Sequence, residues 1–415
     1  MKNKVLVFLL VLGFVLRFAG LFFDGNQNYD SYREVGQLIR NKGLADGFTP
    51  GYGPISQLIM GQCDYFAQFV PNLWWLPIKA ANFLFEIAVL IFLLKLLRKY
   101  PFEVTILYWL NPWFLIPGSW AGFWDAGLGF FTLVAADILD FRKRSGKNYF
   151  LAGLSLGTAF CIKPQVVAVL SVLGIYFLIF QISRFQFKKM LCFALGFSLL
   201  PLLFNFYFFL NAKGTIYFFQ VFSVTMSAMP NLVNSEINIW HTVSYIIMSF
   251  KHIKGPIYSL NTTTYPYNLM ERGAQVVYFL LLTIYMLRAY LLKHDRSRYF
   301  FTKAFAFSLL LMPQILTRSH VYHLYSATLL MVPLIVAEKE IKLFIFWAIS
   351  VAIHFYYIYN GYGLGRTIIH PPRIFPVYGD PVISVLGFIQ FMIILGFIKI
   401  FLTDYVRNSR SISSR

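Results

Sequence analysis

Charge is what this sequence has least of, and little of it is acidic. Charged residues make up 13% of the 415, with only 17 Asp and Glu against 36 Lys and Arg, where soluble domains carry about 25% charge. With 58% hydrophobic residues and a mean hydropathy of +0.63, the chain has too few ionised groups to coat an ordinary soluble domain. Cysteine is equally scarce. Cys63, Cys161 and Cys192 stand singly, with no CxxC or Cys/His spacing, which supports neither a metal cluster nor a disulfide framework. Also missing is the ten-residue alternation of an outer-membrane barrel. Instead, Val5 to Phe23 and Val276 to Leu292 are apolar runs, interrupted only by Arg17 and Arg288, long enough as helices to cross most or all of about 30 Å of hydrocarbon. No internal repeat stands out, so the inverted-repeat pattern of many secondary transporters is not evident.

What is present reads as an all-α, polytopic transmembrane helical bundle. The net charge of +19 does not point to nucleic acid, because the basic residues fall in short clusters between apolar runs, as the positive-inside rule expects. Placing those clusters in the cytoplasm predicts about twelve crossings with both termini inside. The spans are 4–23, 76–98, 102–117, 125–140, 149–162, 165–180, 189–210, 273–292, 300–317, 324–337, 341–359 and 382–402. The first run follows Lys2 and Lys4 but lacks a small-residue cleavage site before Asp24, so it is expected to remain as an anchor. Residues 1–415 form a single domain with outer loops at 24–75, 211–272 and 360–381. Residues 149–180 exceed one crossing and are broken by Lys163-Pro164, which reads as a hairpin with Lys163 at its outer turn. Ile237 to Phe250 is too short to span and reads as interfacial or re-entrant.

Ionisable residues from four separated segments converge on the same outer face in this topology. Asp30, in Asn28-Tyr29-Asp30-Ser31-Tyr32-Arg33, follows the first helix closely and suits a base acting on a polar group at the interface; its bland reading is a solvated acid paired with Arg33. Asp125 ends Gly118-Ser119-Trp120-Ala121-Gly122-Phe123-Trp124-Asp125 at a helix start, where a carboxylate either caps the helix or contacts a substrate hydroxyl or divalent cation. Lys163 either snorkels to headgroups or offers a point charge to phosphate. Arg318-Ser319-His320-Val321-Tyr322-His323 puts two histidines three apart on one helical face, and without a nearby carboxylate a phosphate clamp with Arg318 fits better than a metal.

These stretches resemble the GT-C superfamily of membrane glycosyltransferases, in particular its mannosyltransferase-like bacterial and archaeal branch. The resemblance rests on Tyr29-Asp30 followed by Tyr52-Gly53-Pro54, Asn111-Pro112 leading to Asp125, Ala152-Gly153-Leu154 through Lys163-Pro164-Gln165, Asn238-Ile239-Trp240, and the Arg318 to His323 stretch. It implies an inverting transfer of a hexose, mannose among the candidates, from a polyprenyl-phosphate carrier to a glycan or glycolipid acceptor. The protein would be a multi-pass component of the cell membrane, with membrane lipid around it and its site on the non-cytoplasmic face. By the resemblance Asp30 is the catalytic base, Asp125 holds acceptor or metal, and Lys163, Arg318, His320 and His323 bind the donor phosphate. The only cofactor it suggests is a divalent cation, Mg or Mn. No compact acidic pair in the first loop and no appended soluble domain are present, so acceptor and metal are not specified. A lipid or polysaccharide transporter or flippase is the alternative from another class; it calls for polar residues lining a path in mid-membrane, whereas the ionisable residues here lie mostly at helix ends. A scaffold subunit is the third reading.

The topology has a direct test. A cysteine at Ser145, introduced into a variant whose three native cysteines are serine, should resist an impermeant thiol reagent added to intact cells; labelling from outside would break the shared-face argument.

Overall fold

The computed structural model describes residues 2–24, 28–120, 122, 124–141, 145–182, 186–220, 237–250, 265–293, 298–317, 323–339, 341–362 and 381–412. Among these residues all regular structure is helical. The longer helices are α1 Lys2–Gly20, α2 Asn28–Gly47, α3 Pro54–Ala67, α4 Leu76–Leu96, α5 Ala126–Phe141, α6 Gly146–Ile162, α7 Val167–Tyr176, α8 Phe187–Leu210, α9 Ile239–Phe250, α10 Tyr267–Leu291, α11 Phe300–Ile315, α12 Leu324–Glu338, α13 Ile341–Tyr362 and α14 Pro381–Ile412. Among the described residues six stretches are long and apolar enough to cross a membrane: Asn3–Gly20, Leu76–Leu96, Pro164–Ile182, Phe187–Leu210, Tyr267–Leu291 and Val382–Thr403. Only 17% of the first and 22% of the fourth is buried inside the protein. Apolar side chains such as Phe8, Val11, Leu195 and Phe206 therefore face outward along whole helices, as lipid-facing surfaces do.

Each expected span coincides with a helix or helical stretch, with three structural refinements. First, the expected outer loop 24–75 holds two packed helices, α2 and α3. Their contact is made by Gly36, whose missing Cβ lets α2 lie on the Met60 carbonyl, and by the Arg40 to Asp64 ion pair at 2.9 Å. Second, the 102–117 span is a broken stretch. Asn111, in extended conformation before Pro112, accepts a hydrogen bond from Trp113 N–H, and π-helical turns lie on either side at Thr105–Trp109 and Leu115–Trp120. Third, the break at Lys163-Pro164 is present, but the two arms of the expected hairpin choose other partners. Helix α6 packs chiefly on α8, where Gly153, Gly157 and Gly196 bring backbone against backbone, a small-residue contact typical of helices in lipid. Helix α9, at 12 residues, is too short to span and lies against the start of α14. Residues 221–236, 251–264 and 363–380 of the other outer loops lie outside the described set.

Helix α5 sits at the centre, packed by α4, α6, α11 and α12, and the last two are buried along almost their whole length. Asp140 at the end of α5 accepts hydrogen bonds from Phe301 and Thr302 N–H at 2.7 and 2.9 Å, capping the start of α11 from a neighbouring helix.

Several charges are buried near α1. Arg17, 0% exposed, pairs with Glu86 of α4 at 3.0 Å, donates to the carbonyls of Trp109 and Tyr108, and lies 4.1 Å from the Trp109 ring. Glu86 also accepts from the Ser119 hydroxyl. Lys79 directs its ammonium to the carbonyls of Gly20, Phe23 and Trp120 at 2.9, 2.6 and 2.7 Å. A buried pair broken on one side leaves an uncompensated charge, at a cost of about 3–5 kcal/mol, whereas removing both partners is far cheaper. Arg17→Met alone should therefore lower the thermal midpoint in detergent steeply, and Arg17→Met with Glu86→Leu should recover most of the loss. A double variant no better than the single would show that the pair itself is not the source.

Candidate functional site

The site forms where α3 meets the end of α6. Gly53 donates its N–H to the Ile162 carbonyl at 3.0 Å, and a Cβ there would collide with the Cys161 carbonyl, so glycine is what allows this approach. One turn on, the Ser56 hydroxyl donates to the same Ile162 carbonyl at 2.8 Å and accepts from the Trp124 indole at 2.8 Å. Gln57 closes the preceding loop through Thr49 N–H, the Thr49 carbonyl and the Tyr52 carbonyl at 3.1, 2.7 and 2.8 Å. Tyr52 is thereby held edge-on to Tyr32 of α2, ring centroids 5.4 Å apart. Burial holds the Tyr52 phenol well above the ordinary tyrosine range, outweighing its hydrogen bond with Tyr32, and the nearby Asp125 charge adds to the rise. It is a neutral hydrogen-bonding group.

Helix α6 delivers its last carbonyls to this junction and then stops, because Pro164 disfavours helical geometry at Lys163, which is extended at φ −149°, ψ 142°. The Lys163 side chain turns to Asp125, Nζ to Oδ1 2.8 Å, in an ion pair that is 4% and 1% exposed by residue. Asp125 precedes α5, and its backbone carbonyl accepts from Gly129 N–H at 3.0 Å. Its carboxylate bonds Lys163 through Oδ1, while Oδ2 is buried without a hydrogen-bond partner among the described residues, so it does not cap α5 there. Two residues past Lys163, the Gln165 amide lies 2.9 Å from His323 Nε2 at the start of α12, and the Gln165 Oε1 atom is likewise buried without a partner.

Of the residues the sequence singled out, the structure brings Asp125 and Lys163 into contact, and His323 meets Gln165, two residues past Lys163. Asp30 is exposed in the first turn of α2, two residues before Tyr32, and is not part of the ion pair. Arg318 and His320 lie outside the described residues. Among the described residues no three His, Cys, Asp or Glu side chains come together as metal ligands.

Sequence reasoning did not identify Ser56, Gln57 or Trp124 as parts of the site, nor the buried support beneath it. Asn82 donates to the Gly118 carbonyl at 3.3 Å, Lys79 to that of Trp120 and Ser119 to Glu86, which fixes the segment leading to Asp125. The available signal was Lys79, Asn82 and Glu86 spaced along one side of an otherwise apolar helix. No protein-family model matches this chain, and no curated protein matches it.

Gly53→Ala should separate the α3 start from α6 and, with it, Tyr52 and Ser56 from the ion pair. Gly174, in α7 with open space around its Cβ position, is the control. We expect Gly53→Ala to lower the thermal midpoint, by roughly 1–3 kcal/mol of overpacking, and Gly174→Ala to be neutral or stabilising. Equal midpoints for the two variants would contradict the described junction.

Proposed function

We propose that this chain is a membrane-embedded inverting hexosyltransferase that draws its sugar from a polyprenyl-phosphate carrier on the non-cytoplasmic side. The observation that carries this reading is the buried Asp125 to Lys163 pair at helix ends, beside Tyr52 and Gln165. A buried ion pair is a poor route to stability, since its desolvation offsets most of its attraction, so its place at a junction of α3, α5 and α6 favours a chemical role. The resemblance to GT-C enzymes supplies the reaction class.

In the proposed reaction the acceptor hydroxyl oxygen attacks the anomeric carbon as the bond from that carbon to the phosphate oxygen breaks. The electron pair leaves with the polyprenyl phosphate, and the hydroxyl proton passes to a carboxylate. Attack opposite to departure inverts the anomeric centre. Asp30, exposed at the start of α2 two residues before Tyr32, is the proposed base. Arg318 with one of His320 or His323 is the proposed clamp for the departing phosphate, whose charge must be offset for it to leave.

One observation favours the transporter alternative. Gln390 of α14 donates to Ser350 of α13 at 2.8 Å, and His354, one turn further along α13, lies 3.3 Å from Gln314 of α11, so polar side chains do meet between helices. The amide nitrogens of that string are met by Ser350 and His354, and it includes a single ionisable group, which suits hydrogen bonding between helices in lipid.

The test is sugar transfer from a polyprenyl-phosphate donor by the purified protein, with Asp30→Asn and Asp125→Asn beside the parent. Loss of a general base should slow turnover about 10²–10⁴-fold. Near-parental turnover in the Asp30 variant would remove it as base, and loss confined to the Asp125 variant would move that role there. Donor or glycan movement across proteoliposomes, with no transfer product, would replace the enzyme by the transporter.

A further inference from the structure

We infer that the corner built by Asp125, Lys163 and Gln165 binds hydroxyls of a sugar ring, and that Lys163 is a positioning residue for Asp125 rather than a ligand of the carrier phosphate. The inference rests on the hexosyltransferase reading and assigns one part of that same site.

A phosphate ligand needs cationic charge or donors not already committed. Lys163 donates to Asp125 Oδ1 at 2.8 Å with both residues at least nine-tenths buried. A phosphate brought to this ammonium would also be brought to the carboxylate, and at low dielectric the repulsion is comparable to the attraction. The pair as a unit is close to neutral and offers an anion little.

The atoms left over point the other way. Asp125 Oδ2 and Gln165 Oε1 are buried and have no hydrogen-bond partner among the described residues. Each such atom carries a desolvation cost, and the missing partner is a donor. A phosphate near neutral pH is chiefly an acceptor, whereas a sugar ring carries several hydroxyl donors. A hydroxyl also accepts, so it satisfies the Gln165 amide whichever way its oxygen and nitrogen are turned. One aromatic residue borders the corner, as suits the apolar face of a sugar ring: Tyr52, held beside Tyr32 and within electrostatic reach of Asp125.

Lys163 then acts through Asp125. Its ammonium occupies Oδ1 and leaves Oδ2 as an acceptor whose direction is fixed. The Pro164 that ends α6 and holds Lys163 extended is part of the same device.

The experiment uses the purified full-length protein in lipid nanodiscs and two probes, a methyl hexoside series and a polyprenyl monophosphate without sugar. Lys163→Met and Asp125→Asn should weaken binding of the favoured hexoside at least about 10-fold, the scale of a hydrogen bond to a charged group. Both should leave polyprenyl monophosphate affinity within about 2-fold. Lys163→Arg, which can rebuild the pair, should restore hexoside binding. Gln165→Met removes the unsatisfied acceptor, together with the bond to His323, without touching the pair, so it covers the case where the charge variants do not fold; it should weaken the hexoside several-fold in a protein that still melts cooperatively. Loss of monophosphate binding with hexoside binding intact in Lys163→Met would overturn the inference and return Lys163 to the phosphate. Hexoside binding unchanged in Gln165→Met, or absent from the parent protein at high millimolar concentration, would also overturn it. The expected binding pattern without sugar transfer from any polyprenyl-phosphate donor would retain the hydroxyl corner and remove the transferase reading.

Discussion

The turn that carries Asp125 depends on charges buried one or two turns from it. Arg17 and Glu86 neutralise each other, Glu86 takes the Ser119 hydroxyl, and Lys79 gathers the carbonyls of Gly20, Phe23 and Trp120. In lipid an exposed carbonyl has no water to turn to, so irregular backbone persists only where protein groups satisfy it. The π-helical turns at Thr105–Trp109 and Leu115–Trp120 expose such carbonyls, and Arg17 and Lys79 are the donors that meet them. Helix α1 is therefore more than an anchor. Its arginine and its last carbonyls are built into the support of the site, and Trp109 and Trp120 return the contact by donating to the Leu10 and Leu16 carbonyls at 2.9 and 3.0 Å.

How much of this could be read from the sequence follows from what each signal measures. Apolar runs located the helices from α4 onward closely, because a run of lipid-compatible residues is a property of the segment alone. The same criterion is blind to α2, whose polar composition gives no apolar run; its buried stripe of Tyr32, Gly36 and Ile39 makes sense only once α3 is beside it. Lys163-Pro164 announced a break, since proline acts on its own neighbour, but the choice of α8 as partner for α6 depends on glycines spread over two helices. Asp125 and Lys163 were each legible as costly residues near a membrane. Their pairing was not, because it needs the carbonyl of Ile162, the missing side chain of Gly53 and the turn at Pro164 to set the distance. Arg17 was visible as an interruption of an apolar run, whereas Glu86 and Lys79 are diluted in a helix that is apolar on average.

The division of labour between the halves of the chain follows from the same contacts. Helices α11 and α12 are almost wholly buried and form the wall against which α5 and α7 pack. Asn238 and the Trp240 indole meet the last carbonyls of α11, those of Pro313 and Ile315, at 2.9 and 2.7 Å, which ties the short α9 to the α11 end. His323 opens α12 and reaches Gln165. The Asn238-Ile239-Trp240 motif thus has a physical task that its composition does not reveal: it meets the last carbonyls of α11 and so finishes that helix at a defined place. A site held on one side by buried charges under Asp125 and on the other by a capped helix end has both walls set before any ligand arrives, which is the condition under which hydrogen bonds contribute most to orienting a substrate.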